Sequence, residues 1–291
     1  MIDLPRGVRV SDSRREYGSE QALPLIVADT AQCRAVFALQ GAQLLSFAPV
    51  GEEDWLWLSP KAVFSDGAAI RGGVPLCLPW FGVNRRDATL PKHGFARQRE
   101  WQLLEASSDE DGLVLRFAIE SAPDEQARFP WMYSAQVVYR LGRELACELV
   151  ICNRSQQSLP LSFAMHSYFA AETAAASVQG LGTGDYLDNA QGLAKCRLST
   201  VQRFDGEVDR VFEQVGGVQE LATGKGALAI AGQGCDTVVV WNPGATLAEK
   251  MDDVAEHYNE YICVERGMAF ADELLLAPGG CHRAHMRIWR P

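Results

Sequence analysis

Long apolar segments are absent from this sequence. The longest stretch without a charged residue, 155–171, contains Pro160, His166 and several hydroxyl side chains, so it is too short and too polar to span a bilayer. Residues 1–16 also lack the apolar core of a secretory signal. These absences predict a cytoplasmic protein without a membrane partner.

Paired cysteines and nucleotide-binding motifs are lacking as well. The eight Cys residues are scattered singly with no CxxC motif, which predicts reduced, buried thiols and no disulfide framework. His282 and His285 have opposite parity on a predicted strand, so they would face different sides and form no metal site. Neither GxxxxGK[ST] nor a GxGxxG after a strand occurs, so nothing favours a nucleotide cofactor.

Positive charge is scarce except in one window. The chain has 27 Lys and Arg against 37 Asp and Glu, a net charge of −10, which argues against a nucleic-acid partner. Residues 71–99 nevertheless hold six basic side chains and one acidic one in a Gly- and Pro-rich context. Because Arg matches phosphate and carboxylate oxygens, this window predicts a small anionic ligand. Arg71 and Arg97 are its better candidates, since Arg85 and Arg86 are typical of a solvated turn.

Helical patterns are almost missing, and strand patterns dominate. Only Thr246–Asn259 has the pattern of a helix. Short apolar or alternating runs predict strands at Leu25–Ala28, Cys33–Ala38, Leu113–Ile119, Ser134–Leu141, Leu145–Cys152, Leu159–Phe169, Thr237–Trp241 and Tyr261–Val264. Strands do not alternate with helices, so we expect an all-β, antiparallel sandwich or barrel. A single domain is predicted over residues 1–291, with 1–24 as an N-terminal extension that includes the first strand.

Two of the predicted strands carry residues suited to chemistry. Alternation in Leu161–Phe169 puts His166 on a face with the small residues Ser162 and Ala164 and with Tyr168, which leaves room for a ligand. Glu265 is expected at the end of an otherwise apolar strand, on the face of Tyr261 and Cys263. A carboxylate there is either a solvated strand end or an acid–base group.

The motifs in their order resemble the aldose-1-epimerase (galactose mutarotase-like) superfamily, and specifically its hexose-6-phosphate mutarotase branch. The matching segments are AIRGGVPLCLPWFG (69–82), LPKHGFARQREW (90–101), SFAMHSYFA (162–170), VDRVF (208–212), VVVWNPG (238–244) and YICVERG (261–267). The correspondence covers roughly residues 25–290. It implies an antiparallel β-supersandwich with few short helices and with the active site on a concave sheet face.

The resemblance also implies roles for individual residues. His166 matches the general acid and Glu265 the general base of the family. Arg71 and Arg97 match substrate-binding arginines, and Asp209 matches a ligand of sugar hydroxyls. The HGFAR segment would put its His and Arg on one face if extended, and His93 is a further expected substrate contact. Lys92 stands where some relatives have a substrate-binding Gln, so its role departs from the pattern.

The implied activity is the interconversion of the α and β anomers of a hexose 6-phosphate by an enzyme that needs no metal or organic cofactor, and we expect that enzyme to be a monomer. Ring opening requires a base at the anomeric hydroxyl and an acid at the ring oxygen, which a Glu–His pair supplies. We therefore predict that His166 and Glu265 lie on opposite sides of one sugar-sized pocket. Three alternatives stay open: a non-catalytic carbohydrate-binding β-sandwich, a mutarotase for unphosphorylated aldoses, and a glycoside hydrolase using Asp209 and Glu265. Anomer exchange without net product separates a mutarotase from the first and the last.

Overall fold

Short strands dominate the protein, which a computed structural model describes over residues 2–291. In chain order the strands are β1 (Val8–Asp12), β2 (Pro24–Asp29), β3 (Cys33–Ala38), β4 (Gln43–Pro49), β5 (Leu76–Cys77), β6 (Gln102–Ser108), β7 (Leu113–Glu120), β8 (Tyr133–Leu141), β9 (Leu145–Asn153), β10 (Leu159–Leu161), β11 (Phe163–Met165), β12 (Tyr168–Ala170), β13 (Ser177–Gln179), β14 (Asp185–Asp188), β15 (Ala194–Arg197), β16 (Val208–Phe212), β17 (Val218–Ala222), β18 (Ala227–Gln233), β19 (Thr237–Asn242), β20 (Tyr261–Met268), β21 (Leu274–Leu276) and β22 (Cys281–Trp289). The all-β prediction is therefore confirmed.

Two eight-stranded sheets pack face to face. The front sheet has the order β15-β14-β16-β19-β20-β11-β5, with β12 also paired to β20, and the back sheet has the order β13-β17-β18-β22-β9-β8-β7-β6. Smaller sheets, β1-β2-β3-β4 and β10-β21, complete the structure. The front-sheet pairings are antiparallel, as expected, and so are those of the back sheet.

The core between the sheets follows from strand alternation. In β7 and β9 every second side chain is apolar and buried: Leu113, Leu115, Phe117 and Ile119, and Leu145, Cys147, Leu149 and Ile151. One charged side chain interrupts this apolar layer. Arg266 of β20 is fully buried, and its guanidinium donates to Gln219 of β17 and to the Val215 carbonyl. These bonds connect the front sheet to the back sheet.

The predicted strand over 159–169 is divided into three short strands. Between β10 and β11, the Ser162 N–H donates to the Pro79 carbonyl, and between β11 and β12 the His166 N–H donates to the Pro75 carbonyl. These two bonds continue the pairing of β11 with β5, and β11 and β12 share one register on β20, so the partner strand changes between β10, which pairs with β21, and β11. The predicted alternation survives, because Phe163, Met165 and Phe169 are in the core.

The strand ending in Glu265 is longer than predicted. β20 continues to Met268, and its residues Arg266 and Gly267 pair with both β11 and β19. Glu265 therefore lies inside a central strand, almost fully buried, and the interpretation as a solvated strand end is wrong.

The helices of the described chain are short: α1 (Ser13–Tyr17), α2 (Pro123–Gln126), α3 (Gly244–Ala248), and 3₁₀ turns at Ala96–Gln98, Asn189–Gln191, Ala255–Glu260 and Phe270–Asp272. The predicted helix over 246–259 is thus wrong in its middle. Ala255 has a φ of 47°, which interrupts a right-handed helix. The buried Val254 packs into an apolar cluster beside it. None of the helices in residues 2–291 is long and apolar enough to cross a membrane.

The prediction of eight reduced cysteines is wrong for two of them. Cys152 and Cys281 face each other in the register of β9 and β22 and form a disulfide. They are 129 positions apart in the sequence, so no local spacing could reveal the pair. The other six are free, and all but Cys196 are buried.

Candidate active site

A cavity of about 620 Å³ opens on the front sheet. All seven residues that the sequence singled out contribute to its lining: Arg71, Lys92, His93, Arg97, His166, Asp209 and Glu265. They come from five separate parts of the chain, which the antiparallel pairing of the front sheet and the loops above it bring together. Its basic side also includes Arg85 and Arg86, which stack on Phe270 and Trp131.

His166 and Glu265 are neighbours on the cavity wall. Met165 pairs with Arg266 and Tyr168 with Cys263, so the register places His166 opposite Glu265 on the adjoining strand. Their Nε2 and Oε1 atoms are 3.3 Å apart, and both side chains are more than nine-tenths buried. We expected the two groups on opposite sides of a pocket. They instead lie side by side, because both come from one sheet.

Burial sets the protonation of this pair. It lowers the pKa of His166 well below its usual value, an effect that the nearby Arg97 and Arg71 increase. Burial also raises the pKa of Glu265 well above its usual value, with a further contribution from Asp209 and an opposing one from Arg97. The pair therefore favours a neutral imidazole beside a protonated carboxyl group. His166 Nδ1 and Glu265 Oε2 are buried and have no hydrogen-bond partner among residues 2–291.

The HGFAR segment is not extended, contrary to the geometry considered above. His93 and Gly94 have φ values of 68° and 71°, and a 3₁₀ turn follows at Ala96–Gln98. A Cβ atom at Gly94 would lie 2.0 Å from the Leu78 carbonyl oxygen, so only glycine fits. This turn directs Phe95 into the core and leaves both predicted ligands of the segment, His93 and Arg97, on the cavity.

The polar contacts of these two residues suit ligand binding. The Gly82 N–H donates to His93 Nδ1 over 3.3 Å. The neutral ring therefore carries its proton on Nε2 and can donate from there. Burial lowers the pKa of His93, with Arg97 and His166 adding to the effect. Arg97 donates from Nη2 to the Lys92 carbonyl, while its buried Nε finds no partner in the described part of the chain.

Arg71 is connected to His166 through an aromatic ring. Its Nε donates to Asp253 over 2.9 Å and its Nη1 to the Tyr168 hydroxyl over 3.0 Å. The Tyr168 ring stacks on the His166 ring with centroids 4.8 Å apart and an interplanar angle of 11°. Arg71 thus supports the wall behind His166 as well as reaching the cavity.

Asp209 and Lys92 lie nearer the opening. Asp209 is half-buried on β16 and accepts a 2.6 Å hydrogen bond from Asn189 Nδ2, which orients its carboxylate. Burial raises the pKa of Asp209, and this hydrogen bond opposes the rise. Lys92 is exposed at the rim. Asp209 is therefore placed to accept from hydroxyl groups, and Lys92 to meet an anion.

Sequence reasoning missed three supporting residues, namely Tyr168 as a stacking partner, Asn189 and Asp253. Tyr168 shares the parity of His166, so its place on the same face could be foreseen. Asp253 was assigned to a helix and Asn189 belongs to no motif, so neither had a local signal.

A group of three metal-ligand types also meets here, since donor atoms of His166, Cys263 and Glu265 all lie within 4.8 Å of one another.

Known proteins share this architecture. A curated protein from Escherichia coli named "Putative glucose-6-phosphate 1-epimerase" is 36% identical over 253 residues, covering 85% of this chain and 84% of its own. One of the same name from Salmonella typhimurium is 36% identical over 266 residues, covering 90% and 87%. A crystal structure titled as a putative mutarotase from Salmonella typhimurium superimposes with a TM-score of 0.88 at 31% identity, covering 99% of this chain and 95% of that one.

The sequence model of the aldose 1-epimerase family matches residues 24–289, nearly the whole chain. Together with the relatives above 30% identity, this match makes the protein an isomerase and confirms the resemblance drawn from its motifs. The chain belongs to the aldose 1-epimerase family.

Proposed function

We propose that this protein interconverts the α and β anomers of a hexose 6-phosphate, with glucose 6-phosphate as the reference substrate. The observation that carries the proposal is the 3.3 Å contact of His166 with Glu265 inside a cavity that is also lined by Arg97 and Lys92. An acid–base pair serves the anomeric centre, and the cations serve the phosphate. The curated relatives bear the same activity in their names.

The reaction needs two proton transfers in each direction. One group takes the proton of the anomeric hydroxyl while another protonates the ring oxygen, so that the ring C–O bond breaks and an aldehyde forms. Rotation about the bond from C1 to C2 presents the other carbonyl face, and the reverse transfers close the ring. His166 as acid and Glu265 as base perform these steps, and such assistance contributes roughly 10²–10⁴-fold to the rate.

A single proton shared by the pair is sufficient for this cycle. In the unliganded site that proton favours Glu265, since burial disfavours both charged forms. The close approach of Nε2 and Oε1 lets the proton pass to the imidazole, which creates the acid at His166 and the base at Glu265 together. The transfer leaves the net charge of the pair unchanged, and the attraction between the two ions across this contact offsets part of the cost of burying them.

The remaining polar residues orient the sugar. His93 donates from Nε2 to a ring substituent, and Asp209 accepts from a hydroxyl group. Arg97 and Lys92 bind the phosphate, with Arg71 beside them. Fixing both ends of the substrate holds the anomeric carbon against the pair, and positioning of this kind is a large part of enzymatic rate enhancement.

Magnetisation-transfer NMR on the anomeric protons tests the proposal. We expect enzyme-dependent exchange between α- and β-glucose 6-phosphate with no net product, and much weaker exchange for glucose. Equal exchange rates for both sugars would shift the assignment to a mutarotase of unphosphorylated aldoses. Binding of the sugar phosphate without any exchange would support the non-catalytic alternative. Release of a free sugar from a glycoside would support the hydrolase.

The single-domain assignment, the monomeric state, the cytoplasmic location and the lack of nucleic-acid and membrane partners stay predictions from the sequence.

A further inference from the structure

We propose that His166, Cys263 and Glu265 form a binding site for Zn²⁺, and that the ion blocks the acid–base pair when it binds. The site is built by one sheet surface. Cys263 and Glu265 are two positions apart in β20 and therefore point to the same face, and His166 lies across from them on the neighbouring strand segment. A rigid central strand thus supplies two ligands and its partner supplies the third.

The donor atoms have the right identity and spacing. Thiolate sulfur, imidazole nitrogen and carboxylate oxygen are the three ligand types that Zn²⁺ prefers, at about 2.0–2.3 Å from the ion. Donors around a tetrahedral ion are then separated by about 3.3–3.8 Å. All three donor atoms lie within 4.8 Å of one another, so side-chain rotations that move them by about an ångström complete the site.

Buried atoms in this cluster also lack partners. Glu265 Oε2 and His166 Nδ1 have no hydrogen-bond partner in the described part of the chain, although both are enclosed. A buried polar atom without a partner is costly, so the carboxylate gains from a cation that it can coordinate. His166 presents its other nitrogen, Nε2, to Glu265.

Charge and access are compatible with a divalent ion. His166 and Glu265 line the cavity, so an ion enters from there, while Cys263 is fully buried beside them in a cluster with aromatic residues. Zn²⁺ displaces the protons of the Cys263 thiol and the Glu265 carboxyl group, and the two resulting anions balance its charge. The positive charges of Arg71 and Arg97 weaken the binding of a cation here, while the carboxylate of Asp209 strengthens it. The three protein ligands leave a fourth position toward the cavity.

Metal binding rests on this geometry alone, whereas inhibition also rests on the proposed function. The first experiment therefore measures binding. Wild-type protein is loaded with Co²⁺, a spectroscopic substitute for Zn²⁺, and its absorption is recorded. We expect a thiolate-to-cobalt charge-transfer band and the d–d bands of a tetrahedral site, both removed by one equivalent of Zn²⁺. Bound Co²⁺ without the thiolate band, or no bound metal, overturns the proposal.

Equilibrium dialysis with Zn²⁺ then compares variants. Cys263→Ala and Cys263→Ser should weaken binding by more than about 10-fold, since loss of even an outer partner costs a metal site roughly 10–100-fold. Cys77→Ser is the matched buried-thiol control and should bind as the wild type does. His257→Ala controls for a surface site, because His257 lies near Glu256 and Glu260. Unchanged binding in both Cys263 variants, or its loss in His257→Ala, overturns the proposal.

Inhibition is measured as anomer exchange of glucose 6-phosphate with increasing Zn²⁺. We expect the exchange to be lost in the concentration range where Zn²⁺ binds, and to return when a chelator is added. If the metal-free wild type exchanges no anomers, the proposed function fails while the cobalt spectrum still reports on the metal site. If it is active and stays active with Zn²⁺ bound, the inhibitory role is wrong.

Discussion

His166 Nε2 lies 3.3 Å from Glu265 Oε1, and both groups are enclosed by the front sheet and the cavity wall. The contact joins two segments that are 99 positions apart in the sequence, and it brings an acid and a base within reach of the ring oxygen and the anomeric hydroxyl of one sugar. Its arrangement leads to testable consequences for activity, for pH dependence and for ligand selectivity.

Removal of either member of the pair should abolish most of the catalysis. We expect His166→Ala and Glu265→Gln each to lower kcat by two to four orders of magnitude, the range of acid–base assistance, while the proteins fold and bind glucose 6-phosphate. The double variant should be little slower than either single one, because each proton transfer depends on the other. Anomer-exchange NMR measures the rates, with His257→Ala as a histidine control outside the cavity. Additive losses would contradict a shared proton.

The two arginines should differ in what they contribute. Arg97→Ala should weaken binding of glucose 6-phosphate tens-fold and leave binding of glucose nearly unchanged, because a charged hydrogen bond contributes about 1.5–3 kcal/mol. Arg71→Ala should also lower kcat, since Arg71 holds Tyr168 against His166. Calorimetric titration with both sugars, combined with exchange kinetics, separates the effects. Equal losses for the two sugars would show that Arg97 does not recognise phosphate.

The pH profile of anomer exchange should be bell-shaped. Its acid limb should belong to His166 and its alkaline limb to Glu265, which is the reverse of the order of the usual His and Glu pKa values. Burial lowers the pKa of His166 and raises that of Glu265. The pair therefore carries a single proton in the pH range between these two pKa values. The acid limb then reports a second proton added at His166. The alkaline limb reports loss of the shared proton from Glu265.

Variants assign the limbs of this profile. The residual activity of Glu265→Gln needs a protonated His166, so it should fall with rising pH near the position of the wild-type acid limb. That of His166→Asn needs an ionised Glu265, so it should rise near the position of the wild-type alkaline limb, with a chelator present throughout. The phosphate of the substrate titrates with a pKa of about 6 in all samples, so the comparison with wild type removes its contribution. A fall of the Glu265→Gln activity near the wild-type alkaline limb would restore the ordinary order.

The disulfide between Cys152 and Cys281 should stabilise the fold without affecting the site. Replacing both residues by Ala should lower the free energy of unfolding by about 2–4 kcal/mol, since the bond closes a long loop in the unfolded chain. Anomer exchange should be unchanged because β9 and β22 belong to the back sheet. Thiol titration of the denatured, unreduced protein should detect six free thiols, rising to eight after reduction. Eight thiols before reduction would contradict the bond.

Much of the fold could be predicted from local pattern. The strands over Cys33–Ala38 and Leu145–Cys152 are found where alternation and turn residues indicated them, because a half-buried strand requires period-two hydrophobicity. The prediction of one helix over 246–259 was wrong for a reason that is not local. Its middle residues serve tertiary contacts instead, as Asp253 binds Arg71 and its carbonyl accepts from Ser59.

For the candidate site, the sequence by itself determined which residue types are present and which strand face each occupies. His166 and Glu265 lie in family motifs, and strand alternation indicates which face of its strand each side chain occupies. Their contact, the shift of both pKa values by burial, the link from Asp253 through Arg71 to Tyr168, and the meeting of Cys263 with the pair were decided by the tertiary structure. Each depends on how distant segments pair in register and exclude water, and neither pairing nor desolvation is encoded in the spacing of residues along one strand.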